Sequence, residues 1–276
     1  MELDLATPRG PTRAYAYSGG KVFDPALHCV VFLHGALHDH SVWTLPARWF
    51  AHHGHSVLAL DLPGHARSRG APLESIEALA DWTLAVLDAA GVPQAALVGH
   101  SMGSLVALEA AARAPERATQ LVMVSTAYPM KVSQTLLDTA RHAPLQAIDQ
   151  VNVFSHSSLA PKPSSPGPGV WLRGANRALM QRVQAGQTAL NLFHHDFTLC
   201  DQYEGGLAAA AKVRCPATLI LGARDQMTSP KQAREIAQAL GARVCSLPAG
   251  HALMTEAPDA VLAALRGALH SHPGPS

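Results

Sequence analysis

The residues of this chain with the clearest chemical potential are Ser101, Asp225 and His251, each a short distance past an apolar run. A serine hydroxyl is a weak nucleophile at neutral pH. To attack a carbonyl carbon it needs a base for its proton, a carboxylate to hold that base, and hydrogen-bond donors for the oxyanion. Ser101 lies in Gly99-His100-Ser101-Met102-Gly103, after apolar residues 95–98 and before a helix-favouring stretch, 105–112, that Pro115 ends. The pentapeptide alone is a weak signal. Strand, sharp turn and helix around it form the setting in which such a turn displays a nucleophile. Gly99 and Gly103 lack the side chains that would keep strand and helix apart.

The base and its acid are sought just after strands, because ligands in an open parallel sheet meet the carboxyl ends of the strands. His251, in Pro248-Ala249-Gly250-His251, follows the last apolar run and precedes the final helix. Asp225, in Leu221-Gly222-Ala223-Arg224-Asp225, follows the run before it. The chain order Ser101, Asp225, His251 is the nucleophile, acid, base order of such a sheet. Rigid backbone N–H groups suit the oxyanion, and the expected donors are Met102 and Ala36, the latter after Phe32-Leu33-His34-Gly35. His34 and Gly35, with Gly99, His100 and Gly103, are expected to be structural near the site. Leu37, Trp43, Met130, Val153, Phe154 and Trp171 are the candidates for an apolar substrate pocket.

These residues need a scaffold, and the sequence describes one. Apolar runs at Cys29–Leu33, 56–62, 95–99, 121–124, 217–221 and Arg243–Leu247 read as strands covered on both faces. Helices are expected over 75–90, 229–240 and Pro258–Leu269; the second has Ser229 as cap, Pro230 in the first turn, Gln232 closing a capping box and Gly241 as stop. A hairpin is expected around residues 13–17. The fold class is therefore α/β: a mostly parallel central sheet flanked by helices. The alternation lapses over 127–211, read as an inserted, mainly helical cap between core segments 1–126 and 212–276. Within it, Pro161 to Gly169 contains four prolines and two glycines, which excludes a regular helix or central strand. The last seven residues read as a frayed tail.

Composition narrows the function classes. The 276 residues are 48% hydrophobic and 15% charged with net charge +1, which argues against disorder and against nucleic acid or an anionic membrane as partner. The start, Met1-Glu2-Leu3-Asp4, carries no apolar leader, and a cytoplasmic protein is expected. Cys29, Cys200, Cys215 and Cys245 form no Cys-x-x-Cys pair and read as free thiols. Sixteen histidines include His38-Asp39-His40, His52-His53-Gly54-His55 and His194-His195-Asp196, yet none shows His-Glu-x-x-His spacing, and no metal or other cofactor is assigned.

The chain resembles the α/β-hydrolase fold superfamily, in its serine esterase, lactonase and peroxidase-like branch. The resemblance spans nearly the whole chain through His34-Gly35, Asp61-Leu62-Pro63-Gly64-His65-Ala66-Arg67-Ser68, Gly99 to Gly103, Cys215-Pro216 to Asp225 and Gly250-His251. Relatives usually carry glycine at the position of Ala66. A serine at 101 sets the chain apart from the haloalkane dehalogenases and epoxide hydrolases of this fold, which use a carboxylate there. The expectation is a hydrolase that cleaves a small-molecule carboxylic ester through an acyl-enzyme, as a monomer or homodimer. The same three residues could act on a lactone, thioester, amide or carbon–carbon bond, or in perhydrolysis. A ligand receptor without turnover is the reading from another class.

Overall fold

The computed structural model describes residues 1–7, 10–157 and 171–269. The Pro161 to Gly169 run and the seven-residue tail lie outside them. The chain opens with an antiparallel hairpin, β1 (Glu2–Thr7) and β2 (Gly10–Tyr17). It continues through β3 (Cys29–Leu33), a 3₁₀ turn (His40–Trp43), α1 (Thr44–Ala51), β4 (Ser56–Leu60), α2 (Ile76–Ala89), β5 (Ala95–His100), α3 (Met102–Arg113) and β6 (Ala118–Val124). Five helices follow among the described residues: α4 (Gln134–His142), α5 (Pro144–Ser155), α6 (Leu172–Gly186), α7 (Leu192–Gln202) and α8 (Gly206–Ala210). The sheet resumes with β7 (Ala217–Gly222), then α9 (Arg234–Ala239), β8 (Arg243–Leu247), α10 (Leu253–Glu256) and α11 (Pro258–Leu269).

The eight strands lie in the order β1-β2-β4-β3-β5-β6-β7-β8, and every pair from β4 to β8 is parallel. Successive side chains on a strand point to opposite faces, so each central strand feeds two cores. Val30, Phe32, Val98 and Val122 pack with Trp43 and Phe50 on one side and with Val261 and Leu265 of α11. Val31, Leu33, Leu97 and Met123 pack on the other side with α2, α3 and residues of the α4–α8 insertion. Burial on both faces is why these strands read as unbroken apolar runs rather than as alternation. Strand β3 has β4 on one flank and β5 on the other, reached by connections running in opposite directions. That reversal opens a crevice at the carboxyl ends of β3 and β5, which is where His34 and Ser101 emerge.

Two elements differ from the sequence expectation. The helix expected over 229–240 spans only Arg234–Ala239. Gln232 Oε1 accepts the Ser229 amide, the reciprocal half of a capping box, and also the Ser229 hydroxyl; the chain then makes turns over 230–233, and regular helix begins only at Arg234. The strand expected over 56–62 ends at Leu60. Beyond it the buried Asp61 carboxylate accepts the His40 and Arg67 amides, which turns the chain out of the sheet.

In the same loop Ala66 has φ +41°, the left-handed region where a Cβ is strained. Ala66→Gly should therefore stabilise the fold by about 0.5–1 kcal/mol, the relief of strain less the extra chain entropy of glycine. Urea unfolding at unchanged m-value measures this; a lower midpoint for the glycine variant would show that the conformation costs alanine little.

Candidate active site

Ser101 sits at the sharp turn between β5 and α3. Its φ of 51° and ψ of −121° lie outside the ordinary regions for a side-chain-bearing residue, and it opens α3 directly from β5. Glycine at 99 and 103 makes this turn possible: a Cβ on Gly99 would overlap the Gly103 carbonyl, and one on Gly103 would overlap the Leu33 and His34 carbonyls. The turn is pinned by the Ser101 amide on Val124 O at 2.9 Å and by the Ser104 amide on Ser101 O at 2.8 Å. The Ser104 hydroxyl adds a contact of 2.6 Å to the same carbonyl.

Asp225 and His251 meet across the ends of β7 and β8. His251 Nδ1 lies 2.9 Å from Asp225 Oδ2, with both side chains buried. The carboxylate is surrounded by donors: Oδ1 accepts the Met227 and Thr228 amides, and Oδ2 accepts the Thr228 hydroxyl as well as the imidazole. Burial pushes the Asp225 carboxyl up, but the His251 charge and these hydrogen bonds outweigh it and hold it below the usual value. With Nδ1 committed to Asp225, Nε2 is the ring nitrogen left for the cavity. The His251 backbone is fixed as well, because its carbonyl accepts His100 Nε2–H at 3.0 Å and the Ser125 hydroxyl at 3.1 Å. Glu256 accepts the Gly250 amide and the Ser157 amide and hydroxyl, tying the base's loop to the end of α5.

Ser101, His251, His100, Gly35 and Ala36 line one cavity of about 540 Å³, a size suited to a small-molecule ligand. No hydrogen bond joins Ser101 Oγ to His251 Nε2 among the described residues. Such contacts are often loose without substrate and tighten on binding. The Ala36 and Met102 amides, expected as oxyanion donors, donate no hydrogen bond among the described residues. The Ala36 amide is oriented from behind. His34 Nε2 accepts Leu62 N–H at 3.0 Å, so its Nδ1 carries the proton and donates to Gly35 O at 2.8 Å. In a trans peptide the N–H points opposite the C=O, so holding Gly35 O aims the Ala36 N–H. Burial, then the neighbouring His65, hold His34 well below the ordinary imidazole range, and burial and His251 do the same for His100. Both rings stay neutral.

Of the residues named for a substrate pocket, Met130 and Phe154 line this cavity. Leu37 and Trp43 do not: both are wholly buried, and Trp43 packs on Phe32 with ring centroids 5.0 Å apart. Val153 and Trp171 are exposed and do not line it. Helical phase explains the first of these, since Gln150, Val151, Phe154 and Ser155 of α5 turn towards the cavity and residue 153 lies between them. Leu136 of α4 and Phe197 of α7 complete the apolar wall. Cys200 also lines it, and burial pushes its thiol up, which keeps it protonated.

Sequence reasoning missed Thr228, whose Oγ1 lies 2.8 Å from Asp225 Oδ2 and 3.1 Å from His251 Nδ1. An aspartate with threonine three residues on was the available signal for a local side-chain turn. Asp39, His40 and Asp61 gather ligand atoms within 4.8 Å of one another. Those atoms are already engaged, Asp39 by Ser41 and Arg182 and Asp61 by His40 and Arg67, so the group braces loops.

A family model for the alpha/beta hydrolase family matches residues 30–264. The chain belongs to that family. As an alpha/beta hydrolase it is similar to a pimeloyl-[acyl-carrier protein] methyl ester esterase of Chromobacterium violaceum, 29% identical over 218 residues that cover 75% of this chain and 78% of that one. It is also similar to a putative non-heme haloperoxidase of Mycobacterium phage D29, 35% identical over 99 residues, and spans 36% of that relative's length. Among solved structures, the enol-lactonase from Burkholderia xenovorans LB400 superposes with a TM-score of 0.81 at 23% identity, covering 97% of this chain and 100% of that one. That likeness is one of fold. No helix among the described residues is long and apolar enough to cross a membrane.

Proposed function

We propose that this alpha/beta hydrolase cleaves carboxylic esters of small molecules through an acyl-enzyme. Ser101 Oγ attacks the carbonyl carbon, and His251 Nε2 takes its proton. The Ala36 and Met102 amides hold the oxyanion. As the tetrahedral intermediate collapses, the imidazolium returns the proton to the departing alcohol. Water then enters, is deprotonated by the same nitrogen, and releases the acid and Ser101. Asp225 keeps Nδ1 protonated and steadies the positive ring. The single observation that carries this reading is the shared cavity: a serine in a strained turn, an imidazole held by a buried carboxylate, and Ala36, whose amide is uncommitted, all line it.

The apolar wall of Met130, Val151, Phe154 and Phe197 supports a neutral, apolar acyl or aryl group. In this reading α4 to α7 act as the cap, and their side chains set the acyl length accepted. The relative from Chromobacterium violaceum, named for a methyl ester, fits the same chemistry. The test is intact mass spectrometry after a fluorophosphonate, followed by peptide mapping and a panel of p-nitrophenyl esters of rising acyl length. One adduct on Ser101 and turnover of the panel are expected. No adduct, or an adduct on another residue, would remove the covalent mechanism.

A further inference from the structure

We propose that Asp196, on helix α7, is a positioning residue for the oxyanion loop, its Oδ2 accepting the Leu37 N–H at 2.8 Å and a ring N–H of His65 at 2.9 Å. The proposal rests on the acyl-transfer reading above, because it assigns the loop a task in that reaction. Its physical basis is the peptide joining Ala36 to Leu37. Leu37 has φ +54°, a conformation that a leucine adopts only when its surroundings hold it there. Both ends of that peptide are held: the N–H by Asp196, and the carbonyl, Ala36 O, by His38 Nδ1 at 2.7 Å. The clamp on its N–H comes from outside the sheet, 159 residues along the chain.

The charge states follow from the partners. His65 Nε2 faces the Asp196 carboxylate and Nδ1 faces Pro63 O at 3.2 Å, two acceptors that only a doubly protonated ring can serve together. His65 is met by His34 from the end of β3, ring centroids 4.9 Å apart, by Asp61 from the end of β4, and by Asp196 from α7. Burial lowers its affinity for the second proton, and the Asp196 charge and hydrogen bond outweigh that and raise it. His34 beside it is the neutral ring that aims the Ala36 amide. One side of the oxyanion loop is thus backed by a neutral imidazole, and the other by a buried imidazolium–carboxylate pair whose acid belongs to the insertion.

Three variants test this on the full chain: Asp196→Ala removes both acceptor contacts, Asp196→Asn keeps an acceptor but no charge, and Ser101→Ala marks background turnover. For Asp196→Ala, kcat on the best ester should fall about 10- to 100-fold with KM changed less than about threefold, since the donors act on the developing oxyanion. Amide exchange in peptides covering 34–40 should quicken at least about tenfold while β5 and α3 stay protected. Asp196→Asn should recover most of kcat, and the NMR titration midpoint of His65 should drop in it. Unchanged exchange at 34–40 overturns the proposal, as does a rise in exchange spread evenly over the whole core. Should the alanine variant not fold, an unmoved His65 midpoint in Asp196→Asn overturns it. If the wild type neither hydrolyses esters nor takes up a fluorophosphonate, the acyl-transfer reading fails, and the exchange and titration results still decide the clamp.

Discussion

Ser101→Ala is expected to lower kcat on the best ester by at least about 10⁴-fold, equivalent to about 5.5 kcal/mol of transition-state stabilisation. The size follows from the loss of the only atom that would bond to the carbonyl carbon; the remaining cavity and amides could still bind substrate and polarise it, but any turnover would then need water to attack unaided. The fold should be unaffected. Alanine meets the same backbone strain at φ +51° as serine does, and the hydrogen bonds that pin the turn come from the Ser101 backbone amide and carbonyl, not from its hydroxyl. Turnover measured beside near-ultraviolet circular dichroism checks both halves. An alanine variant that kept more than about one per cent of wild-type kcat with intact tertiary structure would require a different nucleophile.

How far the site could be read from sequence depended on whether each contact is local. The elbow was legible because its signal is compressed into five residues whose glycines answer one steric demand, the close approach of Gly99 and Gly103. The central strands were legible because burial on both faces writes itself as an apolar run. The pocket was not, for two reasons. Leu37 and Trp43 have the composition of pocket residues, yet nothing in the sequence says that their side chains turn inward to the core rather than outward to the cavity. That Val151 and Phe154 line the cavity while Val153 does not is a matter of helical phase, which is not fixed until α5 has a face to pack on. The Asp196 contacts to Leu37 and His65 join residues more than 130 positions apart and leave no local pattern. The coupling between the α4–α8 insertion and the oxyanion-side loop exists only in three dimensions.

The second large effect concerns a proton that never leaves its residue in the proposed mechanism. Asp225→Asn should lower kcat about 10³- to 10⁴-fold, while KM stays within about threefold of the wild type. All four partners of the Asp225 carboxylate are donors: two amides on Oδ1, the Thr228 hydroxyl and the His251 ring on Oδ2. An asparagine has one acceptor to offer. The amides of Met227 and Thr228 are fixed by the backbone and claim its oxygen, so its NH₂ group faces Thr228 and His251. Facing a donor, Nδ1 of His251 must give up its proton and become an acceptor, and the proton moves to Nε2, where it blocks acceptance of the Ser101 proton. The substitution therefore leaves the shape of the site in place and reverses the tautomer. Its effect on stability has a pH dependence of its own. Because the folded Asp225 carboxyl lies below its usual value, its stabilising contribution is present above the unfolded value of about 3.9 and disappears as pH falls through the folded value. The stability gap between wild type and Asp225→Asn should hence narrow below about pH 4, while the loss of kcat persists across the neutral range. A variant with unaltered kcat and a gap that does not close in acid would mean that Asp225 neither holds the tautomer nor carries its charge in the folded state.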